Sequence, residues 1–313
     1  MAKKRLLTGL QPSGQLHIGN YFGALKPFAE MYEEYESILM IADYHTLTSL
    51  KNPAELKQNI LEITRAYLAA GVDPEKAIIF KQSDVPEHTE LAWIFETLVT
   101  VPFLMQAHAY KDKVAKGLEA NAGLFNYPML MAADILLYDT DVVPVGADQR
   151  QHVEYAREAA NKFNNAFGQT FTEPAEKILE TVAVVPGVDG EKMSKSYKNT
   201  IPLFGSKDEI SKAVMSIVTD SSGEKPQHVY AIHTLFKSED ELAELYEKNK
   251  GSYKALKDAL TEDIEALVKP MREKYESITD EEVKNILARG AEKARALAGE
   301  KMKIVREKVG VSL

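Results

Sequence analysis

The chain has 313 residues, of which 45% are hydrophobic and 27% charged, with a formal net charge of −9. That is enough chain for one large globular domain and a smaller one; no apolar run approaches the ~20 residues that span a bilayer, and the start is too short in apolar residues for a secretory signal, so a cytoplasmic, membrane-free protein is expected. The absence of cysteine excludes disulfides, thiolate zinc sites and cysteine-ligated iron–sulfur clusters, and the seven histidines show no tight ligand spacing.

In chain order, RLLTGL (5–10) reads as a buried first strand, followed by a QPSG loop. A helix is predicted from Asn20, kinked near Pro27. SILMIAD (37–43) is a second apolar strand. Asn52-Pro53 opens a helix with Leu56, Ile60, Ile63, Tyr67 and Leu68 near helical spacing, stopped by Gly71. KAIIFKQS (76–83) is a third strand, YPMLMAADILLY a helix, DVVPVG a strand, DQRQHVEYAREAANKF a helix, and TVAVVP (181–186) the last clear strand. Strands alternating with helices imply a parallel sheet that binds ligands at the carboxyl ends of its strands. Gln11, Asp43 and Ser83, all just past strand ends, should rim one crevice. After Ser206 strand runs disappear and charged amphipathic helices follow, over 207–218, 239–249, 252–275 and 280–309.

The predicted organisation is therefore an α/β Rossmann-like domain over 1–205 and an all-helical domain over 206–313. The last helix, about 285–313, can return to pack on the first domain. The stretch from 289 to 308 carries seven Lys/Arg against three Glu. On charge patterning alone this is equally a solvated helix face or a local basic surface in an acidic protein.

Two segments carry phosphate chemistry. LQPSGQLHIGNYFGAL is a Gly- and Ser-containing loop running into a helix N-terminus, which offers backbone N–H groups and a positive dipole end to an anion. Gly19 lets a ligand approach the backbone, and His17 and Asn20 can donate to phosphate oxygens. Alone, HIGN is more often a turn and a helix cap. PGVDGEKMSKSYKNT places Lys192 and Lys195 on a polar loop, where flexible ammonium groups can close over a polyphosphate. An exposed basic loop is the bland alternative, but KMSKS is long enough to be rare by chance. A third segment, around Asp134, sets one carboxylate in an apolar helix with Tyr127, Met131 and Ile135 at spacings that share a face. A buried Asp needs donors. It is either a structural Asp tied to backbone or Arg, or the acceptor for a ligand with a single N–H, such as an indole.

HIGN followed by KMSKS resembles the two signatures of the class I aminoacyl-tRNA synthetases, with Asn20 in the final place of the first. MAADILLYDTDVVPVGADQ resembles the tryptophanyl branch of bacterial type. The resemblance covers nearly the whole chain. It implies activation of L-tryptophan by ATP to tryptophanyl-adenylate, with Mg2+ carried by the nucleotide phosphates, and transfer to tRNA(Trp) by a homodimer whose helical domain reads the anticodon. The catalytic residues it implies are Lys192, Lys195, His17 and Asn20. ATP would be bound by Gln11, Pro12, Ser13, Gly19, Asn20, Gly146, Ala147, Asp148, Lys192, Met193, Ser194, Lys195 and Ser196, with Ala183 at the adenine and Lys113 reaching the phosphates. Tryptophan would be held by Asp134 at the indole, by Tyr127 and Gln149 at the amino group and by Gln11 at the carboxylate. Met131, Val143, Val145, Leu7 and His45 would line or rim the pocket. Leu7 departs from the branch, since some relatives carry an aromatic residue there. Neither a protein-held metal nor DNA is implied.

Three other readings share parts of this pattern: a tyrosyl-tRNA synthetase of the same fold, a small-molecule nucleotidyltransferase, and a catalytically silent RNA-binding paralogue. The second needs neither KMSKS nor the helical domain. The third would be expected to lack Lys192, Lys195 or Asp134.

Overall fold

The structure, a computed structural model, describes residues 3–117, 119–146, 150–178, 185–219 and 225–312. Among the described residues five parallel strands lie at the centre: β1 (Arg5–Leu10), β2 (Glu36–Ile41), β3 (Ala77–Lys81), β4 (Val142–Val145) and β5 (Ala175–Ile178), in the order β3-β2-β1-β4-β5. The chain lays β2 and β3 on one side of β1, then crosses to add β4 and β5 on the other. The reversal between β1 and β4 is where such a sheet leaves a crevice at its carboxyl ends. Alternate strand residues feed two apolar layers. Leu6, Leu39, Ile41 and Ile79 join one; Leu7, Ile38, Met40 and Phe80 join the other. A sheet buried on both faces needs near-continuous apolar strands, and the first three supply them.

Between β1 and β2 run α1 (Ile18–Asn20), a π-turn (Tyr21–Leu25), α2 (Lys26–Met31) and a 3-10 turn (Tyr32–Glu34). The kink predicted near Pro27 falls one turn earlier. Proline lacks an N–H and its ring crowds the carbonyl four residues back, so the helix widens around Gly23. α3 (Asp43–Thr46) follows β2. α4 (Pro53–Ala69) starts where Asn52-Pro53 predicts: the Asn52 side chain accepts from the N–H groups of Ala54 and Glu55 at 3.1 and 3.3 Å.

Three helices that apolar spacing does not announce follow β3: α5 (Glu87–Glu96), α6 (Val101–Leu104) and α7 (His108–Ala115). α5 buries His88, Leu91, Ala92 and Phe95 at helical spacing, but its first inward residue is a histidine, which shortens the apolar period. α8 (Ala122–Leu136) begins a turn before its predicted start, capped by Asn121 and carrying Pro128 inside. α9 is Arg150–Phe167. Of the strand predicted at 181–186, only Val185 and Pro186 are described; Pro186 makes an isolated bridge to Lys192. Among the described residues the fifth strand is AEKI, beside β4. Its Glu176 and Lys177 suit a sheet edge, where charge discourages pairing with other chains, and they hide it from a search for apolar runs.

The C-terminal third contains α10 (Lys207–Met215), α11 (Gln227–His233), α12 (Glu239–Lys248), α13 (Tyr253–Ser277) and α14 (Asp280–Val309). Ser206 with Glu209 and Ser238 with Glu241 form reciprocal caps at α10 and α12. α14 returns to the sheet. Its Val283, Ile286 and Leu287 pack in one apolar layer, and its Ala291, Ala294, Ala298, Met302 and Val305 in the other. It therefore crosses the β3 edge, and Gly290 is the crossing point, with the Ile79 backbone against it. Part of the basic excess over 289–308 serves this docking, while five of its seven Lys/Arg are exposed, as a solvated face requires. Arg289 pairs with Glu75 at 2.9 Å, Lys301 with Asp139 at 2.5 Å and Arg306 with Glu90 at 2.5 Å, while Arg295 donates to the Asp84 carbonyl at 2.7 Å.

Candidate active site

The two phosphate segments, far apart in sequence, are fastened together by backbone. The Ile18 N–H donates to the Ile201 carbonyl at 3.0 Å and the Leu203 N–H to the Leu16 carbonyl at 2.9 Å. His17 and Pro202 form an antiparallel bridge between these bonds. The segment following KMSKS thus acts as a strap across the start of α1. On the other side of the loop after β1, the Asn59 amide of α4 donates to the Pro12 carbonyl at 3.3 Å. Gly14, at φ +74°, turns the loop so that its carbonyl and that of Ser13 face Lys195.

The KMSKS loop is shaped by a residue that sequence reading missed. Asn199 is buried; its side-chain oxygen accepts from the Ser194 N–H at 2.7 Å, and its amide donates to the Lys192 carbonyl at 3.1 Å and to Asp189 Oδ1 at 2.8 Å. A side chain at Gly187 would collide with that amide. Asn after KMSKS was readable only as a polar loop residue. Met193 sits in the core beside Gly19, so its side chain anchors the loop. Lys192 and Ser196 are exposed and Lys195 is half-buried, so this anchor leaves the polar side chains at the surface.

Electrostatics distinguish the three polar groups here. Burial, with the Lys195 charge adding to it, pushes the His17 imidazole down to about 4. At neutral pH His17 is an uncharged donor. Its backbone N–H donates to Asn20 Oδ1 at 3.1 Å, which fixes the Asn20 side chain at the first turn. Burial also lowers Lys195, opposed by the Glu62 carboxylate.

The second half of the site surrounds Asp134, almost fully buried on α8. His45 Nε2 lies 2.8 Å from Oδ2, and the Gln82 amide donates to Oδ1 at 2.8 Å. His88 Nδ1 is 2.6 Å from Oδ1, bent away from an in-line hydrogen bond, and its Nε2 is 2.8 Å from the Tyr138 hydroxyl. Burial pushes the Asp134 carboxyl up, but His45 and His88 outweigh it and hold it at about 2. The His45 ring packs 4.2 Å from that of Tyr127. The Tyr127 hydroxyl accepts from the Gln11 amide at 3.3 Å, which brings the end of β1 to the tryptophan-site residues of α8. Leu7, Val143 and Val145 are buried in the same apolar layer, and Met131 packs against it. Gly146 follows β4 directly. Lys113 lies on α7, whose Tyr110 packs edge-on to Phe125 of α8. Asp43 accepts from the N–H and hydroxyl of Ser83 at 2.9 and 2.6 Å, so two of the three predicted rim residues meet. Ala147, Asp148, Gln149 and Ala183 lie outside the described residues. Sequence reading missed Gln82 and His88; the only signal for either was its place just past a strand or at the start of a helix. Among the described residues no group of three His, Cys, Asp or Glu could hold a metal ion.

An uncharged histidine, an asparagine and Lys195 gather where the KMSKS loop meets the loop after β1, and the buried Asp134 carboxylate is linked to them through Gln11, Tyr127 and His45. Residues 2–288 match the family model described as tRNA synthetases class I (W and Y). The chain belongs to this family. Among its relatives, the tryptophan–tRNA ligase of Campylobacter jejuni (strain RM1221) is 49% identical over 318 residues, covering 98% of this chain and 100% of that protein. The tryptophan–tRNA ligase of Fusobacterium nucleatum is 47% identical over 319 residues, covering 98% of each. The crystal structure of the C. jejuni tryptophanyl-tRNA synthetase with ADP and tryptophan superposes with a TM-score of 0.91 at 48% identity, covering 98% of this chain and 99% of that one. As a class I synthetase, this chain has its HIGN and KMSKS segments where the strap joins them.

Proposed function

We propose that this chain is a tryptophan–tRNA ligase. It activates L-tryptophan with ATP to tryptophanyl-adenylate, releasing pyrophosphate, and transfers tryptophan to the 3′ end of tRNA(Trp). The observation that carries the reading is the juxtaposition of Lys195 and His17 at the end of β1 with the Asp134 pocket of α8, joined through Gln11 and Tyr127. The identity to tryptophan–tRNA ligases over whole chains supports tryptophan rather than tyrosine. ADP and tryptophan in the C. jejuni enzyme support the substrate pair.

The chemistry asks little proton transfer of the protein. The amino acid's carboxylate attacks the α-phosphate, so the protein's task is positioning and charge stabilisation. Lys192 and Lys195 neutralise charge building on the leaving pyrophosphate. His17 and Asn20 donate to phosphate oxygens without adding fixed positive charge. Mg2+ rides on the nucleotide phosphates. Gln11, Tyr127 and Gln149 orient the amino acid, and Asp134 accepts the indole N–H. The unit over 1–205 with α14 docked on it carries activation; the remaining helices read the anticodon.

The functional unit is a homodimer in the cytoplasm. Trp93, the sole tryptophan of the chain, is 67% exposed on α5, with Val101 and Met105 also exposed nearby in sequence. Three large apolar side chains facing solvent suit a partner surface. The first test is amino-acid-dependent ATP–pyrophosphate exchange with tryptophan and tyrosine in parallel. Exchange with tryptophan alone supports the reading, exchange with tyrosine alone overturns the pocket, and exchange with neither, from a folded protein that binds ATP, favours a silent paralogue.

A further inference from the structure

The partners of Asp134 carry more than stability. An ionised carboxylate accepts hydrogen bonds at about four positions, two per oxygen. On Oδ1 both are approached, by the Gln82 amide at 2.8 Å and by His88 Nδ1 at 2.6 Å. On Oδ2 one is taken, by His45 Nε2 at 2.8 Å. Among the described residues one position is left, on Oδ2, the oxygen that His45 contacts.

The donors are themselves held in place. The Gln82 carbonyl oxygen accepts from the Tyr44 N–H at 3.2 Å, which fixes the amide with its nitrogen toward Asp134. With the Nδ1 proton of His88 toward the carboxylate, its Nε2 accepts from the Tyr138 hydroxyl at 2.8 Å. The His88 ring lies nearly parallel to Phe80 at 5.9 Å, so it has little room to turn. His88 and Gln82 are fully buried and Tyr138 nearly so. None of the three can reach solvent for another partner: the Gln82 amide is hydrogen-bonded to the carboxylate, His88 Nδ1 lies against it, and Tyr138 holds the His88 ring from the other side.

We propose that Gln82 and the His88–Tyr138 pair are specificity-determining positioning residues: by occupying Oδ1 they present Asp134 to the amino acid as a single-vacancy acceptor on Oδ2. This rests on the reading of Asp134 as the indole acceptor. An indole nitrogen only donates, and it fills that vacancy with nothing left over. A phenol can donate there too, but its oxygen then asks for a donor, and the three donors facing this spot are directed onto Asp134. A site whose polar groups match one side chain's hydrogen bonds rejects a mismatched one more strongly than shape alone does. If Oδ1 loses a donor, the carboxylate has a second vacancy, can rotate, and can admit a water that serves the phenol.

The test is pyrophosphate exchange with tryptophan, with tyrosine and with the tryptophan analogue carrying sulfur in place of the indole N–H. It uses the full chain and three variants. His88→Ala is expected to lower the kcat/KM preference for tryptophan over each competitor by about tenfold or more, through KM for the amino acid, with KM for ATP unchanged. His88→Asn, whose amide nitrogen takes the place of Nδ1, is expected to restore most of that preference. Tyr138→Phe removes one oxygen and is expected to shift it in the same direction by less. Unchanged preference in both His88→Ala and Tyr138→Phe overturns the proposal, as does a loss of kcat common to all amino acids with the preference intact. Should His88→Ala fail to fold, Tyr138→Phe decides alone: a reduced preference supports the proposal and an unchanged one overturns it. A failure of the unaltered protein to activate tryptophan would instead overturn the underlying reading of the site, and that result is visible before any variant is made.

Discussion

Lys195 Nζ donates to the Gly14 carbonyl at 3.0 Å and also to the neighbouring Ser13 carbonyl, so the ammonium of the second signature rests on the loop that leads into the first. Both acceptors are neutral. A polyphosphate in the crevice would offer the same ammonium anionic oxygens, which form stronger hydrogen bonds. The lysine can therefore pass from backbone to nucleotide with a small movement of its flexible stem, while Asn199 and Met193 keep the loop backbone in place. Lys195→Ala is expected to slow tryptophan-dependent exchange by about 10²–10³-fold, the range seen when one transition-state donor is removed. KM for tryptophan should change little. A rise in KM with kcat intact would assign Lys195 to ground-state binding instead.

His17 makes a prediction about pH. Its folded-state value, about 4, lies below the ordinary 6.5 because burial and Lys195 disfavour the cation. The unfolded chain therefore binds more protons between these values. The stability His17 contributes is complete above about pH 6.5 and is lost as pH falls through about 4. In the ligand-free protein its ring resonances should titrate near pH 4 rather than near 6.5, as followed by NMR with His17→Gln to assign the signal. Lys195→Ala should move that midpoint up, since one of the two causes is removed. Titration near 6.5 would mean that the histidine is more open to water than its burial implies.

Asp134 is a hub, and its removal should cost stability as well as selectivity. Three side chains lose their acceptor at once, and breaking a buried charged contact costs about 3–5 kcal/mol. Asp134→Ala is thus expected to unfold at clearly lower denaturant while losing its preference for tryptophan. Acid should remove the same contribution. With a folded value of about 2 against 3.8, the stabilisation from Asp134 is complete above about pH 4 and vanishes as pH falls toward 2. Urea midpoints for the parent and Asp134→Ala should therefore converge as pH is lowered through that window. A gap that stays constant would show that the carboxylate's charge is not what His45 and His88 stabilise.

How much of this was readable before the fold was known depends on distance along the chain. RLLTGL carried its strand bounds in its own composition, and Asn52-Pro53 carried its helix start, because a cap is a local device. HIGN and KMSKS were readable as phosphate elements for the same reason. The strap that joins them was not, since backbone pairing of residues 16–18 with 201–203 has no side-chain signature. Nor were the partners of Asp134. The Gln82 amide reaches it across 52 residues of sequence, and His88 looked like a polar break in α5 rather than an inward-facing donor. The basic stretch of α14 was legible in part. A solvated face accounts for most of its Lys/Arg, but the acidic partners of Arg289, Lys301 and Arg306, namely Glu75, Asp139 and Glu90, are seen only across the contact.

The crossing of α14 over β3 yields a paired prediction. At Gly290 a Cβ would lie 1.8 Å from the Ile79 carbonyl oxygen, a backbone atom held in the sheet that cannot move aside. Gly290→Ala must lift the helix, which strains the apolar contacts of Ala291, Ala294 and Ala298 and the ties from Arg289 and Arg295 together. Overpacking of this kind costs about 1–3 kcal/mol, and the backbone obstacle places this case at the upper end. Gly299 lies three turns or less further along the same helix, and a Cβ there meets nothing within 4 Å. Gly299→Ala keeps helical geometry and removes unfolded-state entropy, so it should stabilise by about 0.4–1 kcal/mol. The same substitution in one helix is thus expected to move the thermal midpoint down at 290 and up at 299. Were both to rise, α14 would have to rest on β3 less closely than Gly290 and Ile79 indicate.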